Sequence, residues 1–496
     1  MGVRADEKKE EKNSLKLTPR LHKEITAFLS TDKVFELMHA LGSPLNILFP
    51  DLLEANVGGF RGVFNRHGLS GRIYFAHKAN RADAIPRKLA TTDAYIDVSS
   101  INELRHALGS GFDASRVQAT GPKNTEFLHL CLQHNVVISV DSVQELQTLK
   151  ELRRAMGLKT KSRVLLRISG FKNRQQKHQG KSSRFGIRFD RVREALALLT
   201  EVSNEITLLG FAFHLDTVSS LEKAVALESC LQLIEEAIDL DFNPTVINIG
   251  GGFKVNYIEN SMEWSNYTSA MREAALGSRT PFTWQGNTFG LYPDKGVLRG
   301  SFNSYSFYDS SAGPAFLDEI LSHQLESTNS SIANFLRENG IDLWIEPGRA
   351  ILDQVGITVA RVNSLKESST GDVLVCLNMK RQDVCFLDQE IFLDPIVLYQ
   401  RNRPAEDAET GVYFAGNLCL ESDLVTRHQT MLPSLPEPGD LVVFANTAGY
   451  FMDFSASEAI MHPIAKKVAV SKQNNSSFNW CLDENYYPEF GKGKEG

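Results

Sequence analysis

Two hydrophobic patterns alternate along this chain. Short runs rich in β-branched and apolar residues fall at 73–77, 95–98, 117–119, 136–140, 163–168, 208–214, 246–249 and 343–346. They are continuous in apolar character instead of alternating with polar residues, which marks strands buried on both faces. Between most of them lie segments of helical period; over 219–240, Leu227, Leu231, Ile234 and Ile238 recur on one face. Ser100 with Glu103 and Ser142 with Glu145 have the spacing of capping boxes and mark two helix starts. Apolar strands alternating with helices predict an α/β fold with a covered parallel sheet, and eight such units match a (β/α)8 TIM barrel. A doubly wound open sheet is the alternative.

Beyond residue 350 the helical period fades, and strand-like runs at 357–362, 373–378, 412–414 and 441–445 predict a C-terminal all-β domain. The chain then divides into a disordered arm at 1–24, a barrel at 60–350, a β domain built from 25–59 and 351–475, and a tail at 476–496. The NILF run at 46–49 is expected to add a strand to the β domain. One connection is irregular: Gly252 is separated from Leu343 by far more chain than a barrel loop needs. This insertion, about 254–340, carries Trp264, Trp284, Phe289, Tyr292, Tyr305, Phe307 and Tyr308. Leaving from the C-terminal end of a strand, it is placed to act as a lid or partner-binding cap, or else packs on a small core of its own.

The 496 residues are 42% hydrophobic and 23% charged, the composition of an ordinary folded chain. A formal net charge of -7 supplies no basic stripe for a phosphate backbone, so nucleic acid is not an expected partner. The six cysteines include no CxxC pair, which fits a reducing compartment and no metal site. No segment holds eighteen uninterrupted apolar residues, and the N-terminal run lacks an apolar signal stretch. The expectation is a cytoplasmic protein with no membrane contact that acts on small molecules.

Candidate chemistry gathers at predicted strand ends, where barrels of this type keep reactive groups. Lys78 follows the first run, Asp97 lies on the second, Arg167 ends the fifth, His214 ends the sixth, Gly250 to Gly252 follow the seventh, and Glu346 to Arg349 follow the eighth. A lysine after a strand is by itself usually a solvated loop charge; desolvated, its pKa falls and the free amine can form a Schiff base. Three successive glycines let backbone N–H groups approach an anion such as phosphate, although alone they are more often only a turn. Glu346 and Arg349 flank a Pro-Gly turn, either as a surface ion pair or as a carboxylate and a phosphate-binding fork.

These pieces in this order resemble the fold type III pyridoxal-phosphate decarboxylases, which include the ornithine, arginine and diaminopimelate decarboxylases. The residues that carry the resemblance are FAHKAN at 75–80, DVSSINEL at 97–104, LLRI at 165–168, SRFGI at 183–187, FHLDT at 213–217, INIGGGF at 247–253, IEPGR at 345–349, CLESD at 419–423 and PGD with AGY at 438–450. The chain looks most similar to diaminopimelate decarboxylase-like proteins. The resemblance implies an alanine racemase-like barrel and a Schiff base between Lys78 and pyridoxal 5'-phosphate. Ala76 and Asp97 would lie beside it, Arg167 near the ring hydroxyl and His214 on the ring face. Thr217, Gly250, Gly251, Gly252, Gly348, Arg349 and Tyr450 would hold the phosphate. Glu346 would pair with the pyridine nitrogen and keep it protonated, so that the ring accepts electrons from a breaking bond at the substrate Cα. Related racemases use an arginine at that place, so Glu346 favours an amino-acid decarboxylase.

Cys419 and Asp423 resemble residues that such dimers contribute to each other's sites, with Cys419 as proton donor to the carbanion; a Cys in this context is otherwise a small buried hydrophobe. The implied assembly is a homodimer with shared sites. Substrate-side positions depart from the family. Leu420 and Glu421 replace Glu and Ser, Asp216 and Thr217 replace Gly-Ser after the stacking histidine, and Asn417 replaces a Pro. The expected Arg-Pro pair is absent from 377–389, where Arg381 or Asp383 are substitutes for it. The alternatives are a racemase, a decarboxylation-linked deaminase, or a silent homologue that regulates an active partner.

Overall fold

A computed structural model describes residues 15–171, 183–215, 217, 219–400, 409–473 and 477–490. Eight parallel strands, Arg72–Ala76, Tyr95–Val98, Val117–Ala119, Val137–Val140, Ser162–Ser169, Ile206–Ala212, Val246–Asn248 and Asp342–Ile345, are called here the first to eighth barrel strands. Each pairs with the next, and the eighth pairs with the first. The sheet is therefore closed, and the open doubly wound alternative is excluded.

The outward residues of these strands, such as Ile73, Phe75, Ile96 and Leu166, pack under the helices in the main core. The inward residues Tyr74, Val137, Leu165, Ala212, Val246 and Trp344 fill the barrel with a separate apolar cluster. Apolar demand on both faces is why the strands show no alternation in sequence. Both capping boxes form in part as expected. Ser100 Oγ accepts from the Glu103 amide and Ser142 Oγ from the Glu145 amide, at 3.2 and 3.1 Å. The glutamates reach back one residue further than the box rule, to the amides of Ser99 and Asp141.

The helix expected over 219–240 spans Ser220–Ile238, with Leu227, Leu231 and Ile234 buried. Ile238 is 52% exposed, because the helix ends there and its last turn leaves the core.

The β domain is a mixed sheet. Leu45–Leu48 pairs antiparallel with Gly356–Glu367 and parallel with Lys466–Lys472, so the N-terminal segment threads the domain's centre. Its core also takes Ile25, Phe28, Val34 and Leu37 from two short preceding helices. Three boundaries differ from expectation. Leu52–Arg66, of which 52–59 are assigned above to the β domain, is a single helix that buries Leu53, Val57 and Phe60 in the barrel core. The arm is built from residue 15 onward: Leu17 is fully buried, and Arg20 is ion-paired to Asp353. The expected tail contains a strand, Phe478–Leu482, paired with Lys466–Lys472. Asp483 then accepts the Asp83 and Ala84 amides at the start of helix Ala84–Ala90. Each of these segments has an apolar or capping partner far away in sequence, which a local pattern does not reveal.

The insertion joins the two domains. Phe392 of the β domain meets Phe289 at 4.8 Å, Phe302 at 5.4 Å, Tyr267 at 5.7 Å and Phe307 at 5.8 Å between ring centres. Trp264, Phe289 and Phe307 thus share a core with the β domain instead of forming their own, whereas Tyr292 is exposed. Helix Pro314–Ser322 packs against the barrel helices Leu52–Arg66 and Ser220–Ile238, so it belongs to the barrel wall.

Candidate active site

Side chains alternate along a strand, so each inward apolar residue is followed two positions later by another inward residue nearer the C-terminal mouth. Tyr74 is followed by Ala76, Tyr95 by Asp97, Leu165 by Arg167, Ala212 by His214, Val246 by Asn248 and Trp344 by Glu346. The apolar layer is thus the floor on which a ring of polar groups stands. Ala76, Asp97 and Gln118 lie in one register row across the first three strands.

Glu346 is the most constrained member. Its Oε1 accepts from Gln118 Nε2 at 2.6 Å and from Asn248 Nδ2 at 2.7 Å, all three residues being buried. Asn248 also donates to Gln118 Oε1 at 3.1 Å and accepts the Gly250 amide at 2.9 Å. Among the described residues nothing donates to Glu346 Oε2. Gln118 and Asn248 escaped the motif reading, although a polar residue inside the apolar runs VQA and VINI is a signal that something must bond it.

Asp97 is buried with Oδ2 accepting from Thr120 at 3.1 Å, while Oδ1 has no partner. Burial and the charge of Glu346 push its carboxyl well above the usual range. Lys78 lies in a single turn of 3-10 helix, His77–Ala79. Its side chain keeps contact with solvent. Burial alone lowers its pKa, but Tyr450, Asp97 and Glu346 together raise it above the ordinary value. The desolvated, pKa-lowered lysine expected from the sequence is therefore corrected: Tyr450, Asp97 and Glu346 facing it outweigh burial.

The glycine turn closes the ring. Gly250 has φ +67, and a Cβ there would meet the Phe213 carbonyl oxygen at 2.5 Å; at Gly251 it would meet the Glu346 carbonyl oxygen at 2.7 Å. Only glycine fits this cradle. The Gly251 amide donates to His214 Nδ1 at 3.1 Å, which fixes the imidazole. Burial and the nearby Lys78, Lys223 and Arg167 charges hold His214 well below its usual pKa, so it is neutral. Lys223, fully buried and missed by the sequence reading, donates to the carbonyls of Ile249 and Gly251 at 3.2 and 2.8 Å and so pins the turn. Thr217 Oγ1 accepts the Ser219 amide at 3.0 Å, next to helix Ser220–Ile238. Asp216, named above, lies outside the described residues. Arg167 pairs with Asp141 at 3.3 Å and lies 4.8 Å over the Phe185 ring.

Arg349 has no carboxylate partner among the described residues. Its Nη1 donates to Tyr257 Oη at 2.7 Å, and its guanidinium lies 4.2 Å from the Tyr305 ring and 5.1 Å from the Tyr450 ring. An enclosed cation with no carboxylate partner among the described residues suits a phosphate. A Cβ on Gly348 would come within 3.0 Å of Tyr450 Oη and 3.3 Å of the Ala76 Cβ, so Tyr450 and Ala76 border the same space. The orphaned Asp97 oxygen, the Glu346 carboxylate, Lys78 and Arg349 fit pyridoxal phosphate as a set.

The remaining predicted residues stand apart from this ring. Cys419 and Glu421 are exposed on a loop of the β domain, and Leu420 is 52% exposed. Asp423 braces the loop: its two oxygens accept the Arg381 and Leu418 amides at 2.7 and 2.8 Å. Arg381 in turn donates to the Asp388 carbonyl at 3.1 Å.

Comparison with known proteins agrees with this geometry. The family model for the pyridoxal-binding domain of pyridoxal-dependent decarboxylases matches residues 58–283. The uncharacterized protein y4yA of Sinorhizobium fredii is 32% identical over 433 residues, covering 86% of this chain and 88% of that protein. The diaminopimelate decarboxylase of Bacillus methanolicus is 22% identical over 428 residues, covering 84% and 86%. Among solved structures, the M. jannaschii diaminopimelate decarboxylase in complex with L-lysine superposes with a TM-score of 0.68 at 19% identity, covering 91% of each chain. The arginine decarboxylase of Paramecium bursaria Chlorella virus gives 0.63 at 16% identity, covering 88% of this chain and 97% of that one. The closed barrel with its β domain, the cofactor-shaped ring of side chains and these relatives place the chain in the fold type III pyridoxal-phosphate-dependent decarboxylases, a family of carboxy-lyases, among its diaminopimelate decarboxylase-like members.

Proposed function

We propose that this protein removes the α-carboxylate of an amino acid and that Lys78 would hold pyridoxal phosphate until a substrate amine takes its place. The cofactor supplies an electron sink for the bond breaking at Cα. The observation that carries the reading is the Glu346 carboxylate, held by Gln118 and Asn248 with one oxygen unclaimed. A carboxylate held in this way keeps a ring nitrogen protonated and the sink strong. Glu346, which with Tyr450 and Asp97 favours the ammonium form of Lys78, also favours a second cation brought into the ring. Neutral His214, fixed through Nδ1, offers a flat face to an aromatic ring. The Gly252 amide and Arg349 receive the phosphate, while the Gly250 and Gly251 amides are held by Asn248 and His214.

Proton return to Cα is assigned to Cys419. Its exposure on the β-domain loop leaves it free to serve the site of a second subunit in a homodimer, the role the family resemblance implies. The loop is kept in shape by Asp423, while Glu421 and Leu420 face outward to read the substrate side chain. Mixing Lys78→Ala subunits with Cys419→Ala subunits should regenerate activity that neither has alone; inactive mixtures would place Cys419 outside the shared site. The reaction is tested by incubating the holoenzyme with L- and D-amino acids and measuring CO2 and amine. Racemised acid without CO2 would remove the decarboxylase reading.

A further inference from the structure

The insertion between the seventh and eighth barrel strands reaches the Arg349 guanidinium with two tyrosines. Tyr257 is 1% exposed, is ringed by Tyr305, Phe307 and Phe451, and takes the Nη1 proton of Arg349 in a 2.7 Å hydrogen bond. Tyr305 lies 4.2 Å from the guanidinium carbon, the nearest of the aromatic rings around it, and its hydroxyl accepts the Val255 amide at 3.0 Å. A hydrogen bond to one nitrogen and a ring against the plane leave the guanidinium little freedom to swing. A fork held this way loses less entropy when it binds an anion. Neither tyrosine carries charge to offer a ligand: burial pushes both phenols above their ordinary pKa, even with Arg349 beside them. Their chemical use is therefore to aim Arg349.

We propose that Tyr257 and Tyr305 are positioning residues that hold Arg349 for the phosphate ester of the cofactor, making the insertion part of the phosphate cup. The inference rests on the cofactor reading above and adds to it a role for the insertion. The β domain on which the insertion is docked through Phe392 also supplies Tyr450 and Phe451 to the Arg349 guanidinium, at 5.1 and 5.3 Å.

The test is a binding titration on the full-length apoprotein, with pyridoxal phosphate and with pyridoxal, which lacks the ester, followed by the Schiff-base absorbance. Tyr257→Phe and Tyr305→Leu should each weaken pyridoxal phosphate binding about tenfold, the loss expected of one hydrogen bond or stacked contact to a charged group. Pyridoxal binding should stay within about twofold of wild type by the same reasoning. Tyr305→Phe keeps the ring and should restore most of the affinity. Tyr257→Phe deletes one oxygen atom only, so it carries the test if Tyr305→Leu is recovered unfolded. Variants that bind pyridoxal phosphate like wild type, or that lose both ligands equally, would overturn the positioning role while leaving the cofactor assignment in place. A wild-type chain that binds neither ligand would overturn both.

Discussion

Replacing Asn248 by Asp tests the network that holds Glu346. The substitution changes a donor into an acceptor at almost constant volume, and puts a carboxylate oxygen where Nδ2 now sits 2.7 Å from Glu346 Oε1. Two unit charges at 2.7 Å repel by about 6 kcal/mol even at an effective dielectric of 20. One oxygen therefore keeps a proton at neutral pH, and the protonated pair still makes the hydrogen bond. The folded-state pKa of the pair is then raised above its unfolded value. Its stability is fully present below the unfolded carboxylate range and is lost as pH rises towards the folded value. The loss is about 1.4 kcal/mol per pH unit, or about 2.7 kcal/mol from about pH 6 to about pH 8. At roughly 2 °C per kcal/mol for a domain of this size, the melting midpoint of the apoprotein variant should fall by about 5 °C relative to wild type over that interval. Asn248→Leu should lose stability by an amount independent of pH. A gap between Asn248→Asp and wild type that is the same at both pH values would show that Asn248 does not face the Glu346 carboxylate.

Other consequences follow from individual contacts. Burial and the facing His106 push the His77 imidazole down to about 4, so its neutral form contributes stability that is complete above about 6.5 and is lost as pH falls towards 4. Denaturant unfolding should show up to about 3 kcal/mol of acid loss in that window, reduced in His77→Leu; parallel curves would contradict it. Phe392→Ala should cost about 3–5 kcal/mol and speed proteolysis within 254–313, because it removes the ring that the insertion packs on; unchanged cleavage would mean the insertion is held elsewhere. Gly251→Ala should abolish cofactor binding in a protein that still folds, since the new Cβ would sit 2.7 Å from a backbone oxygen of the eighth strand's end. Gly277→Ala, with φ +77 and open space around it, should cost only about 1 kcal/mol and leave binding unchanged.

The barrel was legible because its signal is local. Each strand is a continuous apolar run, each helix has its own period, and a polar residue two places after an inward apolar one falls at the mouth by pleat geometry alone. That is why Asp97, Arg167, His214 and Glu346 could be placed by counting, and why Lys78 and the glycine run pointed to the same end. What the sequence withheld depends on partners far along the chain. Leu17, Asp483 and Phe478–Leu482 look like ends of a chain until the sheet and helix they serve are seen. Lys223 and Tyr257 read as ordinary helix and loop residues, and only the folded glycine turn and Arg349 give them work. Asp423 matched a family position, yet its oxygens are taken by backbone amides, a use that no motif spacing distinguishes from substrate binding. The pKa of Lys78 depended on a balance between burial and three neighbours that converge only in three dimensions.

The central claim is that Lys78 carries the cofactor in this ring of side chains. Borohydride reduction of the purified protein, followed by peptide mass spectrometry, tests it directly. The account predicts a pyridoxyl phosphate adduct on the peptide containing Lys78, with the Schiff-base absorbance lost in Lys78→Ala. An adduct on another lysine, or an absorbance that survives Lys78→Ala, would contradict it.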